Sequence, residues 1–152
     1  MINLTEIKRG YTSAIPLTFD GRVLLQRKTE DYSFWPNCWA TFGGGIKIGE
    51  NPLESVLREF RAETGIDLEN PRKFYEQEFT DESKIGERKR RWGIIYWFAS
   101  ELNGNLGKIK ITEGAEYGVF TEDKLDEFFE QNLIIPYQYK TLKRFFESFR
   151  AR

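Results

Sequence analysis

The sequence contains no histidine, and this absence removes more chemistry than any other. Ser-His-Asp and Cys-His catalysis are excluded, as is every zinc site that needs an imidazole. One cysteine, Cys38, excludes an internal disulfide and fits a reducing, cytoplasmic setting. No apolar run approaches the ~20 residues that span a bilayer, so no membrane association is expected. The opening stretch, Met1 to Arg9, mixes acid and base where an export signal needs an apolar segment. With 23 basic residues against 24 acidic ones, no basic excess marks a nucleic-acid binder, and no stable nucleic-acid complex is expected. What remains is chemistry by Asp, Glu, Lys, Arg, Tyr, a hydroxyl or an oxygen-held metal, directed at a small ligand.

What is present is one domain's worth of chain. The 152 residues carry no repeat, low-complexity tract or linker, so 1–152 reads as a single domain. Tyr11 to Phe19 reads as a strand, Asp20-Gly21 as a tight turn and Val23 to Arg27 as the return strand. After an aromatic loop holding Tyr32, Phe34 and Trp35, the short strand Trp39 to Phe42 runs into a loop, Gly43-Gly44-Gly45, where backbone can approach a ligand closely. The best-marked element is a helix over 52–64. Asn51 is its N-cap, Pro52 its first residue, Glu54 completes the cap and Gly65 stops it. Leu53, Val56, Leu57 and Phe60 form its apolar stripe. Strands are expected over 73–79, 92–99, 109–112 and 117–120, then helices over 122–131 and 137–149. This order predicts an α/β fold, a mixed β-sheet sandwiched between helices.

Glu59 and Glu63 stand four apart on that helix, so their carboxylates meet on one side, flanking the apolar stripe. A sheltered acidic pair repels itself unless a proton or cation intervenes. Hard oxygen donors of this kind suit Mg²⁺ or Mn²⁺, which in turn bind phosphate oxygens. The glycine run just ahead offers carbonyls to a metal and amides to a ligand, with Glu50 beside it.

Gly44, Glu50 and the run Arg58-Glu59-Phe60-Arg61-Ala62-Glu63-Thr64-Gly65-Ile66 resemble the signature of the Nudix hydrolases (MutT-like), G-x5-E-x7-R-E-U-x-E-E-x-G-U, where U is a bulky apolar residue. Ala62 departs from it, standing where the family has the first glutamate of the final pair. The resemblance implies a Nudix-type α/β/α sandwich and metal-dependent hydrolysis of a diphosphate linkage in a nucleoside diphosphate derivative, with water attacking phosphorus. It implies Glu59, Glu63 and the carbonyl near Gly43 as metal ligands, Arg58 as the group that orients the helix carboxylates, and Glu50 as support for the loop and the metal. It further implies an acid from a late loop; Glu113, with Glu116 second, occupies that place as extra ligand or base. Relatives that form homodimers make a dimer one expectation for this chain.

Around this segment, Gly44 and Gly45 are candidate substrate contacts, Arg27 could reach a phosphate, and Trp35 with Tyr32, Phe34 and Trp39 could stack a base. The run Arg88-Lys89-Arg90-Arg91 is a weaker candidate clamp, and Cys38 reads as a packing residue. Two rival readings stay open. One is a Nudix-fold module that binds a nucleotide or a protein and has lost turnover through Ala62. The other is a GDP-sugar hydrolase attacking carbon, which the missing histidine base disfavours.

Overall fold

A computed structural model describes residues 6–81, 90–102, 104 and 106–150. Its strands are β1 (Glu6–Thr18), β2 (Val23–Arg27), β3 (Trp39–Ala40), β4 (Phe42–Gly45), β5 (Glu69–Asp81), β6 (Arg90–Leu102) and β7 (Glu116–Phe120). Its helices are α1 (Pro52–Thr64), α2 (Glu122–Glu130) and α3 (Pro136–Arg150). The strands share one sheet. β1 runs parallel to β6 in unbroken register from Glu6 opposite Arg90 to Thr18 opposite Leu102. On its other edge β1 meets β4 antiparallel, Tyr11 to Ala14 facing Gly45 to Phe42, and then β2 through Leu17 and Val23. β2 carries β3 and β7, and β5 closes the far side of β6.

Alternation along the strands sorts side chains into two layers. Ala14, Leu24 and Phe98 point to one face, where they pack with Val56 and Phe60 of α1. Ile15, Val23, Leu25, Ile95 and Trp97 point to the other, against Leu125 and Phe128 of α2 and Leu142, Phe145 and Phe146 of α3. The expected α/β/α sandwich with a mixed sheet is therefore the observed one. Among the described residues no helix is long and apolar enough to cross a membrane.

Several expected elements change. The strand expected over 39–42 breaks at Thr41, whose amide leaves the ladder to donate to Gln138 Oε1 at 2.8 Å. Gly43 to Gly45 is not a loop but part of β4, paired with Tyr11 to Ser13. No strand forms over 109–112. A short 3₁₀ turn, Leu106–Lys108, leads instead into a segment whose Lys110 and Thr112 amides donate to the carbonyls of Thr64 and Glu63 at 2.9 and 3.4 Å. Those are last-turn carbonyls of α1, which lack intrahelical partners and compete successfully for donors. The buried face of α1 is also turned from the expected stripe. Leu53 and Leu57 are exposed, while Ser55, Val56, Phe60, Glu63 and Thr64 are buried.

Candidate active site

α1 forms where its sequence says it should. Asn51 accepts the Glu54 amide at 2.8 Å, and Gly65, at φ 78°, ends the helix in the left-handed region that glycine enters without strain. Its acids come down on β4. A Cβ placed on Gly44 would lie 2.6 Å from the carboxyl carbon of Glu59, so the missing side chain is the space that Glu59 occupies. One residue earlier, the Gly43 amide donates to Glu63 Oε1 at 2.9 Å. Gln26 of β2 donates Nε2 to the other oxygen of Glu63, also at 2.9 Å.

Arg58 ties the acids to the glycine strand. Its Nε donates to Glu50 Oε2 at 2.7 Å and its Nη2 to Glu50 Oε1 at 2.9 Å, a two-pronged grip. Nη1 donates to Glu59 Oε1 at 2.7 Å, and Nη2 also reaches the Gly45 carbonyl at 3.1 Å. The Lys47 amide adds a third bond to Glu50. Held chiefly by the Arg58 hydrogen bonds, Glu50 is lowered to about 2, and Arg58 is raised in turn. Both Glu50 oxygens are therefore engaged with Arg58. Arg58 orients Glu59 from below and leaves Glu59 Oε2 free of any hydrogen bond among the described residues.

Glu63 is different. It is 5% exposed, and burial pushes it up to about 7 against the opposing pull of the Gln26 amide, the Lys28 charge and the Gly43 amide. A buried carboxylate near neutrality gains most from a nearby cation. Among the described residues no three Asp, Glu or Cys side chains converge on one point, and the carboxylates that meet β4 are those of Glu59 and Glu63. Two carboxylates on neighbouring residues of β4 fit Mg²⁺ or Mn²⁺, ions that keep water and substrate phosphate in their remaining positions. Ala62 is exposed and offers no donor; its carbonyl accepts from the Thr112 hydroxyl at 3.1 Å.

The remaining candidates divide. Glu113 is exposed and follows Thr112, which is bonded to the Ala62 and Glu63 carbonyls; among the described residues it forms no three-acid cluster with Glu59 and Glu63, so the expected extra metal ligand does not join them. Glu116 instead pairs with Arg27, Nε to Oε1 at 3.1 Å, and Arg27 also donates to Asn37 at 3.3 Å. Arg27 is thus held in a surface ion pair away from the acids. Arg88 and Lys89 lie outside the described residues, and nothing is described of the Arg90 and Arg91 side chains. Cys38 is buried beside Ala40 and Ile135, its thiol raised by desolvation, as a packing residue should be.

A cleft of about 590 Å³ opens next to Gly43 and Gly44. Tyr32, Phe34 and Trp35 form its outer wall, each partly exposed. Trp39 does not join them. It is core, edge-on to Phe120 at 4.6 Å and stacked on Phe128 at 5.6 Å. Trp35 sits at φ 54°, unusual for a bulky residue, in a loop closed at its base by the Lys28 amide donating to the Cys38 carbonyl at 2.9 Å. Sequence reasoning missed Gln26, Lys28, Gln77, Tyr137 and Gln138. Gln26 carried one signal, a polar side chain following three buried apolar ones in β2; the others come from separate elements and carry none. Lys28 lines the cleft too, its ammonium 4.5 Å from the Tyr32 ring and close enough to favour the charged form of Glu63.

A family model for the NUDIX domain matches residues 8–145. RNA pyrophosphohydrolase of Bartonella henselae is 30% identical over 124 residues, covering 73% of this chain and 70% of that protein. The m7GpppN-mRNA hydrolase NUDT17 of Xenopus laevis is 42% identical over 48 residues, 32% of this chain but only 16% of its own length. The fold is similar to that of the MutT protein from Methanosarcina mazei Go1, with a TM-score of 0.73 at 21% identity over 96% of this chain and 98% of that one.

Proposed function

We propose, from the premise that this chain belongs to the Nudix hydrolase family, that it hydrolyses a diphosphate linkage in a nucleoside diphosphate derivative, with water attacking phosphorus. The observation that carries this reading is the seating of Glu59 and Glu63 on neighbouring residues of β4, at the mouth of an aromatic-walled cleft. Glu59, Glu63 and the Gly43 carbonyl would hold a divalent ion, Mg²⁺ or Mn²⁺, which when bound would supply charge neutralisation at the diphosphate and activation of water near neutral pH. Arg58 fixes Glu59, and Glu50 acts through Arg58. Lys28 adds a positive charge on the cleft side, where the phosphates of a bound nucleotide would pass. Glu113, which follows Thr112 at the segment bonded to the end of α1, is the residue assigned here to take the proton of the attacking water. Trp35 and its aromatic neighbours hold the base.

Ala62 favours a second reading, a binding module without turnover, because it removes a carboxylate from the helix. Product masses separate the two. Nucleoside triphosphates, dinucleotides and nucleotide sugars are incubated with Mg²⁺ or Mn²⁺ in ¹⁸O-labelled water. Metal-dependent cleavage is expected, with label in a phosphate product and at least about a hundredfold loss in Glu63→Gln. Label in the sugar would move the attack to carbon. Ligand binding without product would favour the binding module.

A further inference from the structure

We propose that the cleft selects a base whose edge presents adjacent hydrogen-bond acceptors, a 6-oxopurine over a 6-aminopurine, and that the side-chain amides of Gln77 and Gln138 make the choice. This deepens the hydrolase reading and rests on it, because the cleft matters to turnover only through its junction with Gly43 and Gly44.

The argument turns on which amide atoms are already spoken for. Gln77, on β5, accepts at Oε1 from Trp97 Nε1 at 3.0 Å and from the Thr141 hydroxyl at 3.3 Å. An indole nitrogen only donates, so the orientation of the amide is settled and its NH₂ is the end left over. Trp97 and Thr141 are both buried, which locks the oxygen in place. Gln77 Nε2 has no partner among the described residues. Gln138, at the start of α3, is oriented by the same logic. Its Oε1 accepts the Thr41 backbone amide at 2.8 Å, another group that only donates. Its Nε2 gives one hydrogen to the Tyr137 hydroxyl at 3.2 Å and keeps the second.

The two amides are linked through α3. Thr141, which binds Gln77, lies three residues after Gln138, on the same side of α3 one turn on. Both glutamines line the cleft, and among the described residues no Asp or Glu does. Two donors with their oxygen ends fixed therefore belong to the cleft lining, where no described carboxylate stands to accept from a base. Guanine and hypoxanthine present O6 and N7 as adjacent acceptors, whereas adenine replaces O6 with a donating amino group. A 6-amino group here meets donor against donor, and buried polar groups left unpaired are what give hydrogen-bonding sites their selectivity. The aromatic wall of Phe34 and Trp35 supplies face contact to either purine and does not discriminate.

Inosine and adenosine triphosphates test this directly, since the edge at position 6 is what separates them. kcat/KM for the inosine nucleotide is expected to exceed that for the adenosine nucleotide by about tenfold or more. Gln77→Glu keeps an acceptor for Trp97 and Thr141 while turning the free donor into an acceptor, and is expected to shrink or reverse the ratio; Gln138→Glu should act in the same direction. Thermal melting of each variant reports whether it is folded. Parity or a preference for adenosine in the natural chain overturns the proposal, as does an unchanged ratio in both folded variants. Binding of inosine and adenosine monophosphates, followed by tryptophan fluorescence, gives the ranking without turnover. Selective binding of the inosine nucleotide by a chain that hydrolyses nothing supports this inference and overturns the hydrolase reading, whereas equal binding overturns this inference alone.

Discussion

The site has two walls built on different plans. On the acid wall, α1 and β4 lock together: Glu50, Arg58, Glu59 and Glu63 lie within one stretch of chain, and Arg58 alone makes four hydrogen bonds there. The base wall is assembled from a loop, the middle of β5 and the start of α3, and its aromatics stay partly exposed. The acid wall leaves little freedom to the groups to which the proposal gives the chemistry, while the base wall keeps polar ends unclaimed among the described residues. Precision and receptivity are thus separated in space, meeting at Gly43 and Gly44.

If that division holds, small changes on the acid wall should be far costlier than large ones on the base wall. The largest effect is expected from Gly43→Ala. Its Cβ would stand 1.9 Å from the Thr12 carbonyl oxygen, a backbone atom that cannot step aside, and a loss of about 3 kcal/mol or more should appear in urea unfolding. Next comes the buried acid itself. Glu63 titrates at about 7 in the folded chain against an ordinary 4.5. Between these values the folded chain holds a proton that the unfolded chain has released, so metal-free stability should fall as pH rises through that window and level off above it. About 3 kcal/mol is expected from Glu63, and Glu63→Gln should flatten that slope.

Gly44→Ala tests the same wall differently. The three atoms nearest its Cβ are all at the far end of Glu59, which can swing away, so the fold should survive while kcat drops by about a hundredfold. The smallest effect belongs to the base wall. Trp35→Ala should raise KM by about tenfold through lost stacking, with kcat and melting temperature little changed. A Trp35→Ala variant that lost kcat as badly as Gly44→Ala would break the division.

The same division explains what could be read in advance. The acid wall was legible because its groups are local: Asn51, Pro52 and Gly65 bound the helix, and a four-residue spacing brings Glu59 and Glu63 together wherever the helix goes. Even there, the depth of Glu63 was not legible. The apolar stripe put it at the flank, and only the Gly43 and Gln26 donors, one from another strand, make its burial tolerable. The glycine run reads as a loop because glycine is poor in strands; β4 uses it because side chains would strike Thr12 and Glu59. The segment 109–112 has strand-like residues, Ile-Lys-Ile-Thr, but its amides serve the end of α1 instead. Gln77 and Gln138 were silent for a simpler reason. A glutamine's free end is defined by which partners claim its other end, and those partners sit on other elements.

The tether between residues 110–112 and the end of α1 reaches beyond the chemistry. The last turn of the helix that carries the acids is finished by a much later part of the chain, so that turn and that segment must open together. Cutting or lengthening the chain between 106 and 116 would release the carbonyls of Glu63 and Thr64 and let the turn fray. The box from Gly44 to Ile66 is therefore not a portable cassette: a graft or split of this domain that leaves the later segment behind would carry the residues but not their alignment.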